Sequence, residues 1–156
     1  MVENFEFELK VLDARLHEWG LPAYHSAMAA GIDLRACIDA PIALEPQAPA
    51  VMVSSGVAIL INRPEIAAFI VPRSGLGARQ GIILGQSVGT IDPDYAGPWI
   101  VPLINRNAPG TPPVRINPGD RIAQAVFLPI LRPGFRPVEE FSTITTRGAG
   151  GFGSTG

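Results

Sequence analysis

The sequence predicts an all-β fold, a jelly-roll-like barrel or sandwich with one short helix, and three observations predict it. The 156-residue chain opens on strict apolar–polar alternation. It continues as short apolar runs, each bounded by Gly, Pro, Asn or Ser, and its 17 glycines and 16 prolines are spread without a period. Alternation is the mark of a strand with one covered face, and scattered Gly and Pro mark turns between short strands, not collagen or a linker. The chain has the length of one ordinary domain. With 47% hydrophobic and 17% charged residues it can fill a single core and is too apolar for intrinsic disorder.

Taken in order, Phe5, Phe7, Leu9 and Val11 alternate with Glu6, Glu8 and Lys10, which gives the first strand. Ala14–Trp19 is the first place for a short helix. Strands follow at Val51–Val53, Val57–Ile61, Ala67–Val71, Gly81–Leu84, Trp99–Ile104 and Ile122–Leu131, with a helical turn or two near Gly75–Gln80. From Thr143 to Gly156 the chain is polar and glycine-rich, the composition of a flexible terminus.

A formal net charge of −2 argues against a broad basic surface tracking nucleic acid. It leaves room for an anionic small ligand, because a few arginines focused in one cleft can bind phosphates on an acidic protein, and Lys10 is the only lysine. Cys37 is the only cysteine, so no internal disulfide forms, and with two histidines it makes a poor zinc set. Cys37 reads as a small buried apolar residue in a reducing compartment. The acidic, alternating N-terminus is not a signal peptide, and no apolar run reaches membrane-spanning length. A cytoplasmic protein without membrane or nucleic-acid partners is expected.

Five segments combine glycine with charged or hydroxyl residues in a way that barrel packing does not require. The first is Ala30-Gly31-Ile32-Asp33-Leu34-Arg35-Ala36. The second, Pro72-Arg73-Ser74-Gly75-Leu76-Gly77, suits a phosphate oxygen through an arginine, a hydroxyl and a glycine that lets the backbone approach. It equally suits a serine N-cap before a tight turn. The third runs from Gly85 to Gly97 and reads as a hairpin whose backbone lines a pocket, with Pro93 holding Asp92 extended. Asp92 and Asp94 also fit a solvated turn, and Tyr95 fits a packing aromatic. In the fourth, Pro118 to Gln124, a turn leads into a strand on which Ile122 and Gln124 share a face. The Gln124 amide needs a partner, either a backbone group or a ligand phosphate. The fifth, Arg147 to Gly156, superficially matches the start of a P-loop. It lacks the lysine, carrying Ser154 in its place, and no helix can follow. What survives is a glycine-rich arm able to close over a nucleotide.

In this order and spacing the five segments resemble the five motifs of the trimeric dUTPase family, from about Leu21 to Gly156. The resemblance implies a dUTPase-type jelly roll over residues 1–142 with an arm at 143–156. It also implies hydrolysis of dUTP to dUMP and pyrophosphate, with water attacking the α-phosphorus. Asp92 then matches the general base, and Tyr95 the tyrosine beneath the deoxyribose that excludes a ribose 2′-hydroxyl. The stretch containing Gln86, Gly89 and Thr90 matches the uracil pocket; Gln86 stands where the family often has asparagine. Arg73, Ser74, Gly75 and Gln124 match phosphate contacts, and Asp33 matches an aspartate acting through water near Mg²⁺. Arg147 and Phe152 match arm residues that meet the γ-phosphate and stack on uracil, followed by the phosphate-holding Gly153, Ser154 and Thr155. Asp120 and Arg121 are expected to brace the site as a charge pair. The family is a homotrimer with sites shared between subunits. The dCTP deaminases share this fold, but Arg73-Ser74 is followed here by glycine instead of a second serine.

Overall fold

The computed structural model describes residues 6–151. It holds eleven short strands, β1 Glu8–Val11, β2 Ile32–Arg35, β3 Ile42–Leu44, β4 Val51–Ser54, β5 Val57–Leu60, β6 Ile66–Pro72, β7 Ile82–Leu84, β8 Gly89–Ile91, β9 Ile100–Asn105, β10 Val114–Ile116 and β11 Arg121–Pro129. Helix is confined to one turn, α1 Leu16–Trp19, and a π-helical segment, Gly75–Gln80. Every pairing between named strands is antiparallel. A four-stranded sheet runs β2-β11-β6-β8 and a three-stranded sheet β4-β9-β7; β1-β5 and β10-β3 form two ribbons.

All of these enclose one core. β6 contributes Ala68 and Ile70, β11 contributes Ile122 and Ala125, β7 contributes Ile82 and Leu84, and β9 contributes Val101 and Leu103. Burying each larger side chain is worth about 1.5–3 kcal/mol over leaving it in water. Trp99, which enters β9, is wholly buried; its backbone carbonyl accepts from both the amide and the hydroxyl of Ser55.

The long apolar runs fall on strands within a residue or two of expectation. Four strands fall outside the expected set. β3, β8 and β10 are three residues long, so pairing decides them, not local pattern, while β2 does alternate, Asp33 and Arg35 with the buried Ile32 and Leu34, but over only four residues. β11 starts one residue earlier and stops two residues earlier than its apolar run suggests. Pro129 cannot donate to a ladder, and after a hydrogen bond from the Ile130 backbone N–H to the Glu65 carbonyl the chain leaves the sheet with Leu131 95% exposed.

The expected face of β1 is only partly covered. Phe7 packs on Phe127 with ring centroids 5.1 Å apart, yet Leu9 stays exposed. Phe7, Leu9, Ile59, Phe127 and Leu128 instead line an open groove of about 990 Å³, walled on the other side by the loop containing Pro22, Tyr24 and Ala29. Cys37 is half-buried, and loss of water pushes its thiol up to about 11, so it stays protonated and inert at neutral pH. No helix among the described residues is long and apolar enough to cross a membrane.

Candidate active site

The site begins with an irregularity in β11. Arg121 pairs with Arg35 and Ala123 with Leu34, so Ile122 is an extra residue and the register shifts there. A bulge of this kind moves the alternation by one. Arg121 and Gln124, three residues apart, therefore both come onto the face of Asp33 and Arg35, while Ile122 goes into the core. The expectation that Ile122 and Gln124 share a face is corrected by this bulge. Val71 of β6 pairs with Gln124, and Arg73, two residues on, projects to the same side.

Asp33 is the centre of this face, with its side chain only 11% exposed. Oδ1 accepts from Arg73 Nε at 2.8 Å; Oδ2 accepts from Arg121 Nη1 at 3.2 Å and lies 3.0 Å from His25 Nε2. Arg121 thus pairs with Asp33 and not with its neighbour Asp120. Asp120 Oδ2 accepts instead from the backbone and side-chain amides of Asn117, which shapes the turn. Gly31 has a packing reason: a side chain there would press on the Gln124 amide oxygen and the Ala125 carbonyl. The Gln124 amide donates to the Pro72 carbonyl across 3.3 Å, a long bond that leaves its second proton free.

Ser74 precedes the π-helical segment in helical geometry but makes no side-chain cap bond, so capping does not explain it. Nothing lies within 4 Å of a Cβ built on Gly75, so within the protomer this glycine faces open space. The segment itself is fixed. Arg106 donates to the Gly77 carbonyl at 3.0 Å and Asn107 to the Gln80 carbonyl at 2.8 Å, anchoring it to the end of β9. Arg73, Ser74 and Gly75 are therefore presented from a rigid base, with a hydroxyl and backbone amides free for an anion.

The stretch from Gly85 to Gly97 is not a simple hairpin. β7 pairs with β9 in one sheet and β8 with β6 in the other, so the turn at Gln86–Val88 carries the chain between sheets. Positive φ falls on Ser87 (67°), not on a glycine of that stretch. Gly89 is needed for packing, since a side chain would press on Ile70 and the Gln86 amide. Thr90 is exposed. Asp92 is exposed and borders a groove of about 550 Å³ with Asn62, Arg63, Asp94 and Arg132. The Tyr95 ring is 43% exposed; its hydroxyl donates to the Pro98 carbonyl at 3.1 Å and its face lies against Gly97, where no side chain fits.

The protomer brings Asp33, Arg73, Arg121 and Gln124 together, with Ser74 and Gly75 adjoining, but it does not bring Asp92 to them. Ile91 pairs with Ala68, so Asp92 sits beside Ala67, six residues along β6 from Arg73. At about 3.3 Å per residue the two ends are roughly 20 Å apart. Arg147 is exposed and bonds back to the Gly150 carbonyl of its own arm, touching neither end. Phe152, Gly153, Ser154 and Thr155 lie outside the described residues.

Among the described residues no group of three or more His, Cys, Asp and Glu side chains is placed to hold a metal. Asp33, tied to three cationic or donor side chains, still has acceptor capacity on Oδ1 for a metal-bound water. The donor set fits a cation carried mainly by the substrate's phosphates and not one caged by protein.

The dUTPase family model matches residues 17–156. A deoxyuridine 5′-triphosphate nucleotidohydrolase from Coxiella burnetii is 54% identical over 150 residues, spanning 96% of this chain and 95% of its own. One from Xanthomonas campestris pv. campestris is 49% identical, with the same coverage. Among solved structures, the Staphylococcus bacteriophage 80alpha dUTPase with dUPNHPP superposes with a TM-score of 0.84 at 25% identity, covering 98% of this chain and 99% of that one. A mutant dUTPase from phage phi11 of S. aureus, described with a structural Mg(II) ion, gives 0.72 at 22% identity, covering 88% and 99%. Matched along nearly its whole length and half identical to such relatives, this chain belongs to the dUTPase family.

Proposed function

We propose that the protein hydrolyses dUTP to dUMP and pyrophosphate, keeping uracil out of DNA and supplying dUMP for thymidylate synthesis. The observation that carries this reading is the 54% identity, over 96% of the chain, with a deoxyuridine 5′-triphosphate nucleotidohydrolase. The geometry adds a division of labour. Asp92 orients a water and takes its proton as the water oxygen attacks the α-phosphorus. The bond from that phosphorus to the bridging oxygen breaks, and pyrophosphate leaves.

Arg73 is the main phosphate clamp: with Nε committed to Asp33, its two Nη groups are left to face the phosphates as a fork. Ser74, the amide of Gly75 and the spare proton of Gln124 add neutral donors. Gln86, Gly89 and Thr90 line the base pocket, where fixed backbone groups select uracil because a wrong base leaves buried polar groups unpaired. Tyr95 supports the deoxyribose. Asp33 is the residue that would hold Mg²⁺, indirectly through water, and the metal when bound would supply neutralisation and polarisation of the phosphate chain.

Two ends about 20 Å apart along β6 do not converge on one reacting phosphorus, which supports a site that draws on more than one protomer. We assign a homotrimer with shared sites. Two further features support an assembly. Past Pro129 the chain carries Leu131, Phe135 and Phe141 almost fully exposed, and the groove along β1 is apolar and open. Such surfaces are costly in water and gain by covering one another. Residues 1–142 then form the barrel domain, and 143–156 form the arm. In that arm Arg147, Phe152, Gly153, Ser154 and Thr155 close over the nucleotide of a neighbouring subunit. The expected setting is the cytoplasm.

The test is pyrophosphate release from dUTP by the purified, assembled protein with Mg²⁺, with dCTP, dTTP and UTP as controls. Turnover restricted to dUTP is expected. Intact dUTP, or ammonia from dCTP, sinks the reading.

A further inference from the structure

We propose that His25 is a positioning residue of the phosphate clamp, acting through Asp33 on Arg73. His25 stands on the loop between α1 and β2, eight residues before Asp33, outside the five segments. The flanking residues Tyr24 and Ser26 line the wall of the apolar groove, and His25 between them reaches Asp33 on the edge strand β2. Its Nε2 lies 3.0 Å from Asp33 Oδ2 while the ring remains 55% exposed. The pair is a close nitrogen–oxygen approach, and a turn of the exposed ring aligns an Nε2–H on Oδ2 in the neutral and in the protonated ring alike.

The role follows from the geometry of the carboxylate. Arg73 Nε holds Oδ1, and one bond to one oxygen leaves the carboxylate plane free to rotate. Oδ2 fixes that plane, and two side chains reach it: His25 at 3.0 Å and Arg121 at 3.2 Å. Without His25 the plane depends on the longer contact from Arg121 alone. A swivelling Asp33 lets the Arg73 fork swing with it, and a fork that must be re-aimed binds a phosphate less tightly. His25 itself touches no substrate in this arrangement. The inference rests on the reading of Arg73 as a phosphate ligand.

The experiment is a double-mutant cycle on the assembled protein, using His25→Ala, Arg73→Ala and both together, with His25→Gln as the variant that retains an Nε2 donor at similar reach. The readouts are kcat and KM for dUTP and the Kd of a non-hydrolysable dUTP analogue, measured with and without Mg²⁺. His25→Ala is expected to raise KM and Kd about 3- to 10-fold with kcat changed less than twofold, the scale of one ordinary hydrogen bond. His25→Gln should recover most of that loss, and His25→Ala should cost nothing further once Arg73 is alanine. A His25→Ala protein with unchanged Kd, or one whose loss is the same in the Arg73→Ala background, overturns the inference and leaves the clamp standing. An Arg73→Ala protein that binds the analogue normally removes the clamp itself, and the role of His25 falls with it.

Discussion

At one end of β6, Arg73 runs into a carboxylate already held by two other side chains. At the other end, β6 lies beside Asp92, whose carboxylate has no hydrogen-bond partner among the described residues. The first end is organised before any ligand arrives: a bulge sets the face, Asp33 ties its neighbours together, and Arg106 and Asn107 pin the segment that follows. The second end is open, with Tyr95 held by one hydroxyl bond and Asp92 bordering a solvent groove. A triphosphate carries several charges that must be fixed in place, so its binding end gains most from preorganisation. In the proposed function the open end carries the general base, which needs access to water and to a reacting phosphorus and which the phosphate end of another subunit completes.

The largest effect expected from this contrast is at the open end. Asp92→Asn removes the proton acceptor and keeps the shape, so turnover should fall by about 10²–10⁴-fold, the usual worth of a positioned base. Binding of a non-hydrolysable analogue should stay within a few-fold. If binding and turnover fall together, Asp92 is a ligand and the contrast between the ends is wrong. Deleting residues from Arg147 onward comes next. Loss of one set of charge-stabilising donors implies a drop in kcat of about 10²-fold, whereas the circular dichroism spectrum and melting temperature should hold, because Arg147 bonds only within its own arm. A truncated protein of full activity would show that the two ends of β6 suffice.

At the preorganised end the effect is smaller and falls on affinity. Arg73→Lys keeps the charge but has no Nε–H for Asp33 while a fork faces the ligand. Loss of a hydrogen bond to a charged group is worth about 1.5–3 kcal/mol, which corresponds to analogue binding roughly 10-fold or more weaker. A lysine variant of normal affinity would mean that charge alone matters there and that the bond to Asp33 orients nothing.

How far the sequence alone could reach differs between the same two regions. The long strands were legible because Ile66–Pro72 and Arg121–Pro129 carry extended apolar runs, and the turn at Gly75–Gln80 because its glycines and Ser74 punctuate the pattern. The residue types at the site were legible by resemblance. Their arrangement was not. A bulge at Ile122 has no local signature, yet it decides that Arg121 faces Asp33 instead of pairing with Asp120. The passage of Gly85–Gly97 between two sheets was invisible for the same reason: which strand β7 or β8 chooses is settled by long-range pairing, and three residues are too few to announce it. The contact of His25 with Asp33 depends on how an irregular loop folds back, which no periodicity encodes.

The smallest effect distinguishes an open end from a loose one. A Cβ at Gly97 would meet the Tyr95 hydroxyl oxygen at 2.5 Å and the ring carbons beside it at 2.7–3.0 Å. In Gly97→Ala the ring must swing outward and give up its bond to the Pro98 carbonyl. That bond is exposed and the ring is half in water already, so the fold should lose only about 1 kcal/mol, at the low end of overpacking costs. The consequence should appear in discrimination. If Tyr95 sets the floor beneath the sugar, moving it makes room for a 2′-hydroxyl, and the preference for dUTP over UTP should narrow about 3- to 10-fold by kcat/KM, the scale of a small steric mismatch. Unchanged discrimination with the ring displaced would mean that the sugar is read elsewhere, and that the open end contributes its base and nothing more.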